Sequence, residues 1–436
     1  MPQNKDLKRL VRARMAETGE NYTQARTVFE LRDAMADHVV SVFRPGKELG
    51  RELPEAVVAA LRRVPRHLFA PDVPLARAYE DTSSIVTKRN ARGVSLSSVS
   101  VPHMVAGMVA QLDVRPGQSV LEIGSGGYQA AVLRELVGPD GSVTTVDIDA
   151  EVARRARACL DTAGYRDVRV LCADGVLGVP EYAPFDRIIV AVQAWDIPPA
   201  WTGQLARDGR LVVPLLTGGW SRTWELDRAD GYLVSRSVMT AGFVPIQGAG
   251  KYRRWSVDLG ESGVRLWGEG PPGADADALA GVLATERREA WTGVTLPPNT
   301  LITGPYLWLA SDPERCWLKA GNDAVSRGLV AGAGGSVLNI PSLSDGGSLA
   351  YSARLRPVDD EGTAFEFGAY GHGPHGAELA ERLAEQIRVW DRDYRHGPDP
   401  VLTIYPADAA DSELPQGTVF HRPHTTMVLS WAEAAR

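Results

Sequence analysis

Only three cysteines occur in 436 residues, Cys159, Cys172 and Cys316, and no two of them form a Cys-x-x-Cys pair. A scattered, odd-numbered set excludes a disulfide framework and a thiolate zinc site, and fits a reducing compartment. Long apolar runs are missing as well. No stretch approaches the roughly 18 to 20 residues that span a bilayer, and the N-terminus carries charge where a signal peptide needs an apolar core. Both absences predict a cytoplasmic protein with no membrane segment. Positive charge is in deficit: 47 Lys and Arg against 54 Asp and Glu leave a net charge of −7. Phosphate neutralisation needs a clustered positive field, so nucleic acid is not an expected partner. Internal repeats and low-complexity tracts are also absent. What is present is 44% apolar residues, ample for a core, and a length that calls for two domains or one domain with a large appendage.

The chain is organised around Val120 to Leu133, which reads as a buried strand, a glycine turn and a helix start in one run. Glycines at Gly124, Gly126 and Gly127 let main-chain N–H groups and a helix N-terminus approach a ligand closely, as a nucleotide or an S-adenosyl group requires. Ser125 and Tyr128 complete the loop. Glu122 is expected to bond to loop N–H groups and position Gly124 and Gly126. The next strand ends in Asp147, 23 positions after Gly124, where a carboxylate can accept from both hydroxyls of a free ribose. A third strand closes at Asp174, placed to read an adenine amino group. Ile148 and Gly175, the residues after these two acids, belong to the same expected cofactor set. Fourth and fifth strands follow at 185–190 and 209–215. This βαβαβ order with acids at strand ends resembles the class I S-adenosylmethionine methyltransferase fold, a Rossmann-like α/β architecture.

Upstream, residues 1–44 form a helical extension. Leu7, Leu10, Val11 and Met15 share one face of a basic helix that Gly19 ends, and Thr23 is a candidate N-cap for a second helix running towards Phe43. Leu53 to Arg63 is a third amphipathic helix. Residues 88–93 read as a polar connector, and the alternation over Val94 to Val101 predicts an extended strand, which Pro102 ends as it opens the helix His103 to Leu112. Beyond Gly260 the composition shifts. Gly270 to Gly273 reads as a linker, Ala276 to Trp291 as a helix and Pro305 to Leu309 as a strand. Glycine turns follow at 332–335 and 345–347, then a helix over Ala377 to Tyr394 and strands at 401–405 and 426–431. The expected domains are therefore 1–44, 45–259 and 260–436, the last an α+β domain without a recognisable catalytic motif.

Six segments, taken together and in order, are more specific than the glycine loop: Val64-Pro65-Arg66-His67-Leu68-Phe69, Ala78-Tyr79-Glu80-Asp81, Ser100-Val101-Pro102-His103-Met104, Val120 to Leu133, Phe185-Asp186-Arg187-Ile188 and Phe243-Val244-Pro245. Over about residues 45 to 250 the chain resembles protein-L-isoaspartate O-methyltransferases. Two departures stand out. The loop Gly124-Ser125-Gly126-Gly127-Tyr128 is one residue short of the family's usual form, and Val192 to Pro199 replaces a small-residue run. With the long C-terminal extension, these departures resemble the branch associated with ribosomal peptide natural products of the FxLD lanthipeptide type. That resemblance implies S-adenosylmethionine as cofactor, S-adenosylhomocysteine as product and a modified, cyclised precursor peptide as partner. Its aspartate would be esterified and pass through succinimide to isoaspartate.

Methyl transfer from a sulfonium to a carboxylate is an in-line displacement by a nucleophile already anionic near neutral pH, so alignment matters more than proton transfer. Ser100, at a strand-to-helix corner, is the expected donor to the substrate carboxylate, a role the resemblance also implies. Its alternative is an N-cap of the following helix. His103 is a secondary catalytic candidate. Ser98, Val99 and Val101 offer main-chain groups to an extended peptide, unless their strand is covered. No metal is expected. General repair of isoaspartyl sites and a non-catalytic cofactor-binding recognition module are the competing functional readings.

Overall fold

The computed structural model describes residues 4–19, 21–43, 52–124, 126–252, 254–260, 263–269, 275–298, 300, 303–312, 314–331 and 339–434. Ser125 and the segments 270–274 and 332–338 therefore lie outside the described residues, together with the linker and first glycine turn expected there. The chain divides into two compact units. One holds Met1–Leu215 and Thr223–Lys251, the other Leu216–Arg222 and Tyr252–Arg436.

The first unit opens with helices α1 (Asn4–Thr18) and α2 (Tyr22–Val42). Val11 is fully buried whereas Leu10 is 42% exposed, so the apolar stripe of α1 is narrower than its sequence suggests. The cap of α2 is Asn21, not Thr23. Asn21 Oδ1 accepts from Gln24 N at 2.9 Å and Gln24 Oε1 accepts from Asn21 N at 3.1 Å, a reciprocal box that a cap at Thr23 could not form. Helix α3 (Glu55–Arg63) and the short α4 (Leu75–Ala78) follow. The expected connector around residue 88 is instead a strand: β1 (Ile85–Arg89) pairs antiparallel with β2 (Ser95–Val99). The turn sits at Asn90 to Gly93, where Asn90 Oδ1 accepts from the main-chain N–H groups of Arg92 and Val94. Helix α5 (Pro102–Leu112) starts at the N-cap Val101.

The cofactor run then appears as β3 (Ser119–Ile123) and α6 (Tyr128–Val137), followed by β4 (Ser142–Asp147), α7 (Ala150–Thr162), β5 (Arg169–Cys172), β6 (Phe185–Val190) and α8 (Pro199–Gln204). Strand β7 (Leu205–Thr217) runs longer at both ends than expected, turns through Gly218 and Gly219 into β8 (Trp220–Arg228), and β9 (Leu233–Thr240) completes the set. The strand order is β9-β8-β7-β6-β3-β4-β5, with β3 parallel to β4 and β6, β4 parallel to β5, and β6 parallel to β7. This is the class I, Rossmann-like methyltransferase arrangement. Central strands buried on both faces read as near-continuous apolar runs, which is why Val120 to Ile123 and Ile188 to Val190 were legible.

The second unit carries an antiparallel sheet in the order β10 (Trp255–Asp258), β11 (Val264–Gly268), β13 (Arg315–Ala320), β14 (Ile340–Asp345), β15 (Ser348–Ser352), β17 (Phe365–His372) and β12 (Arg288–Leu296), with β16 (Arg356–Pro357) beside β17. The helix expected over 276–291 shrinks to α9 (Ala276–Leu279), because Gly281 takes a left-handed conformation at φ 71° and the following residues enter β12. The strand expected at 305–309 is helix α10 (Thr303–Trp308). After α11 (Asn322–Ser326), α12 (Gly376–Val389) packs Leu379, Leu383 and Ile387 into a core with Phe367 and Leu343, and ends in a π-turn at Trp390–Tyr394. Strands β18 (Val401–Pro406), β20 (Thr425–Ser430) and β19 (Thr418–His421) close the chain, with β20 antiparallel to both others.

Candidate active site

The tips of β3, β4 and β5 bring the expected cofactor residues together. Parallel register sets Ile123 beside Val146 and Asp147 beside Cys172, so Gly124, Asp147 and Asp174 leave successive strands on one edge. Gly124 takes φ 92°, and a Cβ there would lie 2.9 Å from Val192. Its N–H donates to Val146 O at 2.8 Å. Gly127, at φ 78°, is the first-turn cap of α6 without a capping side chain, and a Cβ would meet the Phe69 ring at 3.2 Å. A Cβ on Gly126 would lie 3.3 Å from Ser98 O. The loop is thus confined on three sides by protein, and glycine is what lets its backbone pass. Gly175 is held by packing, since a Cβ there would lie 2.5 Å from Ile123.

The acids differ in how far they are committed. Asp147 is half-buried and its Oδ1 accepts from Asp149 N at 2.8 Å. Asp174 accepts from Val176 N at 3.1 Å on Oδ1 and from Ala249 N at 2.9 Å on Oδ2. The turn Gly248–Gly250 therefore rests on it, close enough that a Cβ on Gly248 would lie 2.3 Å from Asp174 Oδ2 and 2.6 Å from Ile148. Each carboxylate oxygen has a second lone pair, so both acids keep capacity for a ligand. Ile148 is 39% exposed and offers an apolar edge between them.

Among the described residues Glu122 makes no hydrogen bond to the loop. Its Oε2 accepts from the Thr145 hydroxyl on the neighbouring strand, and Oε1 is buried with no hydrogen-bond partner. Burial is the main cause that pushes its carboxyl up to about 8, with the Asp147 charge adding to it and the Thr145 bond opposing it.

The Ser100 corner is built by residues from earlier motifs. The buried Arg66 guanidinium donates from Nε to Ala78 O at 2.8 Å and from Nη2 to Ser100 O at 2.7 Å, and its charge centre lies 4.6 Å from the Tyr128 ring centroid. Burial lowers the pKa of this guanidinium. One arginine thereby ties the corner to the first residue of α6. Ser100 is not the cap of α5; Val101 occupies that position, and the Ser100 hydroxyl has no protein partner among the described residues. Capping falls to Asp81, whose Oδ1 accepts from His103 N at 2.9 Å and lies 2.9 Å from His103 Nδ1. Val99 is buried, and Ser98 turns its carbonyl towards the glycine loop, so β2 is bordered there by the cofactor loop as well as by β1. Neither Arg66 nor Asp81 has an expected role from sequence; a charged residue between Pro65 and the apolar Leu68-Phe69 is the available signal for Arg66, and nothing local marks Asp81.

These residues fit an S-adenosyl group: a glycine cradle that any Cβ would crowd, two acids at adjacent strand tips, and an unengaged hydroxyl on the facing corner. Among the described residues, no cluster of His, Cys, Asp and Glu could hold a metal ion, and no helix is long and apolar enough to cross a membrane.

Residues 41–251 match the family described as protein-L-isoaspartate(D-aspartate) O-methyltransferase. A protein-L-isoaspartate O-methyltransferase from Methanopyrus kandleri is 42% identical over 205 residues, which is 46% of this chain and 88% of that protein. Its namesake from Methanothrix thermoacetophila is 42% identical over 199 residues, 45% of this chain and 90% of that protein. A solved structure of the same name aligns over 86% of this chain and 95% of its own, at 18% identity and a TM-score of 0.46.

Proposed function

The chain belongs to the protein-L-isoaspartate(D-aspartate) O-methyltransferase family, and from that premise we propose that it esterifies an aspartyl carboxyl group of a cyclised, lanthipeptide-like precursor peptide. The observation that carries the transfer reading is the Ser100 corner, pinned by Arg66 to the helix that opens from the glycine loop. S-adenosylmethionine, when bound, supplies an electrophilic methyl group. Gly124, Gly126 and Gly127 would admit the donor to the strand tips, Asp147 would accept from its ribose and Asp174 would take its base. Ser100 donates its hydroxyl to one oxygen of the substrate carboxylate, leaving the other free to attack, and the first turn of α5 adds its positive end to the same anion. His103, held by Asp81, borders the carboxylate.

The finer reading rests on what departs from the family. Val192, the first residue of the segment that replaces the small-residue run, stands against Gly124 and so forms part of the loop wall. The part of the second unit from Tyr252 on lies beyond the family-matched residues and is free to recognise a constrained peptide. In the resulting ester, the following backbone nitrogen attacks the ester carbonyl, methanol leaves, and a succinimide forms that water opens to aspartate or isoaspartate.

Incubation with S-adenosylmethionine and cyclised peptides encoded beside the gene tests this by mass spectrometry. A gain of one CH2 unit followed by loss of methanol is expected. Turnover of a plain isoaspartyl peptide, with none of the cyclised ones, would replace the reading with general repair of isoaspartyl sites, which the likeness to the Methanopyrus protein supports.

A further inference from the structure

Asp81 is a buried carboxylate with two histidines, and only one of them belongs to the family-matched segment. Its side chain is 3% exposed. Oδ1 is taken twice by His103, through the main-chain N–H and through Nδ1, both at 2.9 Å. The double contact has a local cause: Pro102 at the start of α5 has no N–H, so the His103 N–H is the first donor the helix presents. Since a carboxylate only accepts, Nδ1 carries the proton and a neutral His103 keeps its lone pair on Nε2. Among the described residues Oδ2 is buried without a hydrogen-bond partner, a costly state for a charged acceptor. His38 Nε2, on α2, lies 3.6 Å from it. Residue 38 precedes the matched residues 41–251.

We propose that His38 is a positioning residue of the methyl-transfer site, supplied by the N-terminal helical extension. Its Nε2 faces the second oxygen of Asp81 at 3.6 Å, an ion-pair distance, and so restricts the plane of that carboxylate. The plane in turn sets the tautomer and tilt of the His103 ring, three residues beyond Ser100. The role rests on the methyl-transfer reading given above. A helix that would otherwise only pack on the catalytic unit thereby completes the corner, and His38 remains 60% exposed, so the site stays open to small molecules from solvent.

The test uses the full-length protein, S-adenosylmethionine and a pair of synthetic peptides that differ only in an L-isoaspartyl or L-aspartyl residue. His38→Ala is expected to lower kcat roughly tenfold, with cofactor affinity unchanged. Either added imidazole or the donor-bearing His38→Gln is expected to restore most of the loss, which a mere packing role would not allow. Unchanged kcat in His38→Ala, or a loss that neither treatment recovers, overturns the proposal. Should the wild-type protein methylate neither peptide, the transfer reading fails for them and the His38 proposal is decided by imidazole 15N NMR. His103 is expected as the Nδ1–H tautomer in the wild type and as a mixture in His38→Ala. Identical His103 resonances in the two proteins would refute it.

Discussion

Ser100 and Glu122 show how differently two polar side chains near one site can act. Among the described residues the Ser100 hydroxyl is unengaged, and it is half-buried, ready for a ligand oxygen, whereas Glu122 is sealed inside the sheet. Removing one preorganised donor to a developing charge costs about 100-fold in turnover, so Ser100→Ala should lose about that in kcat. Calorimetric titration with S-adenosylhomocysteine should show unchanged affinity, because the loop and the strand-tip acids are intact. A parallel loss of affinity would move Ser100 from substrate to cofactor. Glu122 affects stability instead. Its carboxyl is raised from 4.5 to about 8 by burial, so between those values the folded state holds a proton that the unfolded state has released. The contribution is full below about pH 4.5 and is lost as pH rises towards 8. Glu122→Gln abolishes that linkage. Denaturant melts at pH 5 and pH 8 should therefore show the wild type losing a few kcal/mol relative to the variant across the interval, and parallel pH dependences would show that Glu122 titrates normally.

At the scale of elements, what was legible in the sequence follows burial. The runs of β3, β4 and β6 are apolar because both faces are covered, and the glycines after β3 mark a turn that admits no Cβ, so strand, loop and helix could be read together. The hairpin of β1 and β2 was half missed. Lys88 and Arg89 look like loop residues, yet Lys88 reaches Asp149 and Glu151 at the start of α7, at 2.7 Å each, so its charge is used in pinning the strand. In the second unit, β12 takes the end of the helix expected to 291, and helix α10 takes the place of the strand expected at 305–309. Short apolar stretches there carry no periodicity that separates the two, and for residues 288–291 the non-local pairing of β12 with β17 decides the outcome. The turn Gly248–Gly250 was not foreseen at all, since nothing local predicts that it would rest on Asp174 some seventy residues earlier. Gly248→Ala places a methyl group on Asp174 Oδ2 at a left-handed φ of 69°. The expected result is loss of the Ala249 to Asp174 bond and weaker binding of S-adenosylhomocysteine, with thermal stability of the protein nearly unchanged. Wild-type affinity in this variant would show that the turn plays no part in holding the base.

At the scale of the whole molecule, the path of the chain constrains how the two units can be separated. Leu216–Arg222, the tip between β7 and β8, belongs to the second unit. There Gly219 N donates to Glu269 Oε1 at 3.1 Å, and Gly219 O accepts from Asn339 Nδ2 at 3.2 Å. A Cβ on Gly219 would fall 1.9 Å from the Trp317 ring. Cutting after Lys251 would strip these partners from the tip and expose Leu216 and Arg222, which are 2% and 3% exposed in the intact chain. A fair test of the second unit's role must therefore shorten the hairpin too, replacing 216–222 by Asn-Gly, which a two-residue turn between antiparallel strands favours. All expected cofactor residues and Ser100 lie before that tip. Such a shortened protein should still methylate a short isoaspartyl peptide at a rate within a fewfold of the full chain. If residues 252–436 recognise the constrained precursor, a competition between a cyclised and a linear peptide should favour the cyclised one only with the intact protein. Equal preference in both proteins would place that selectivity in the first unit, with the wall around Val192 as the remaining place to look for it.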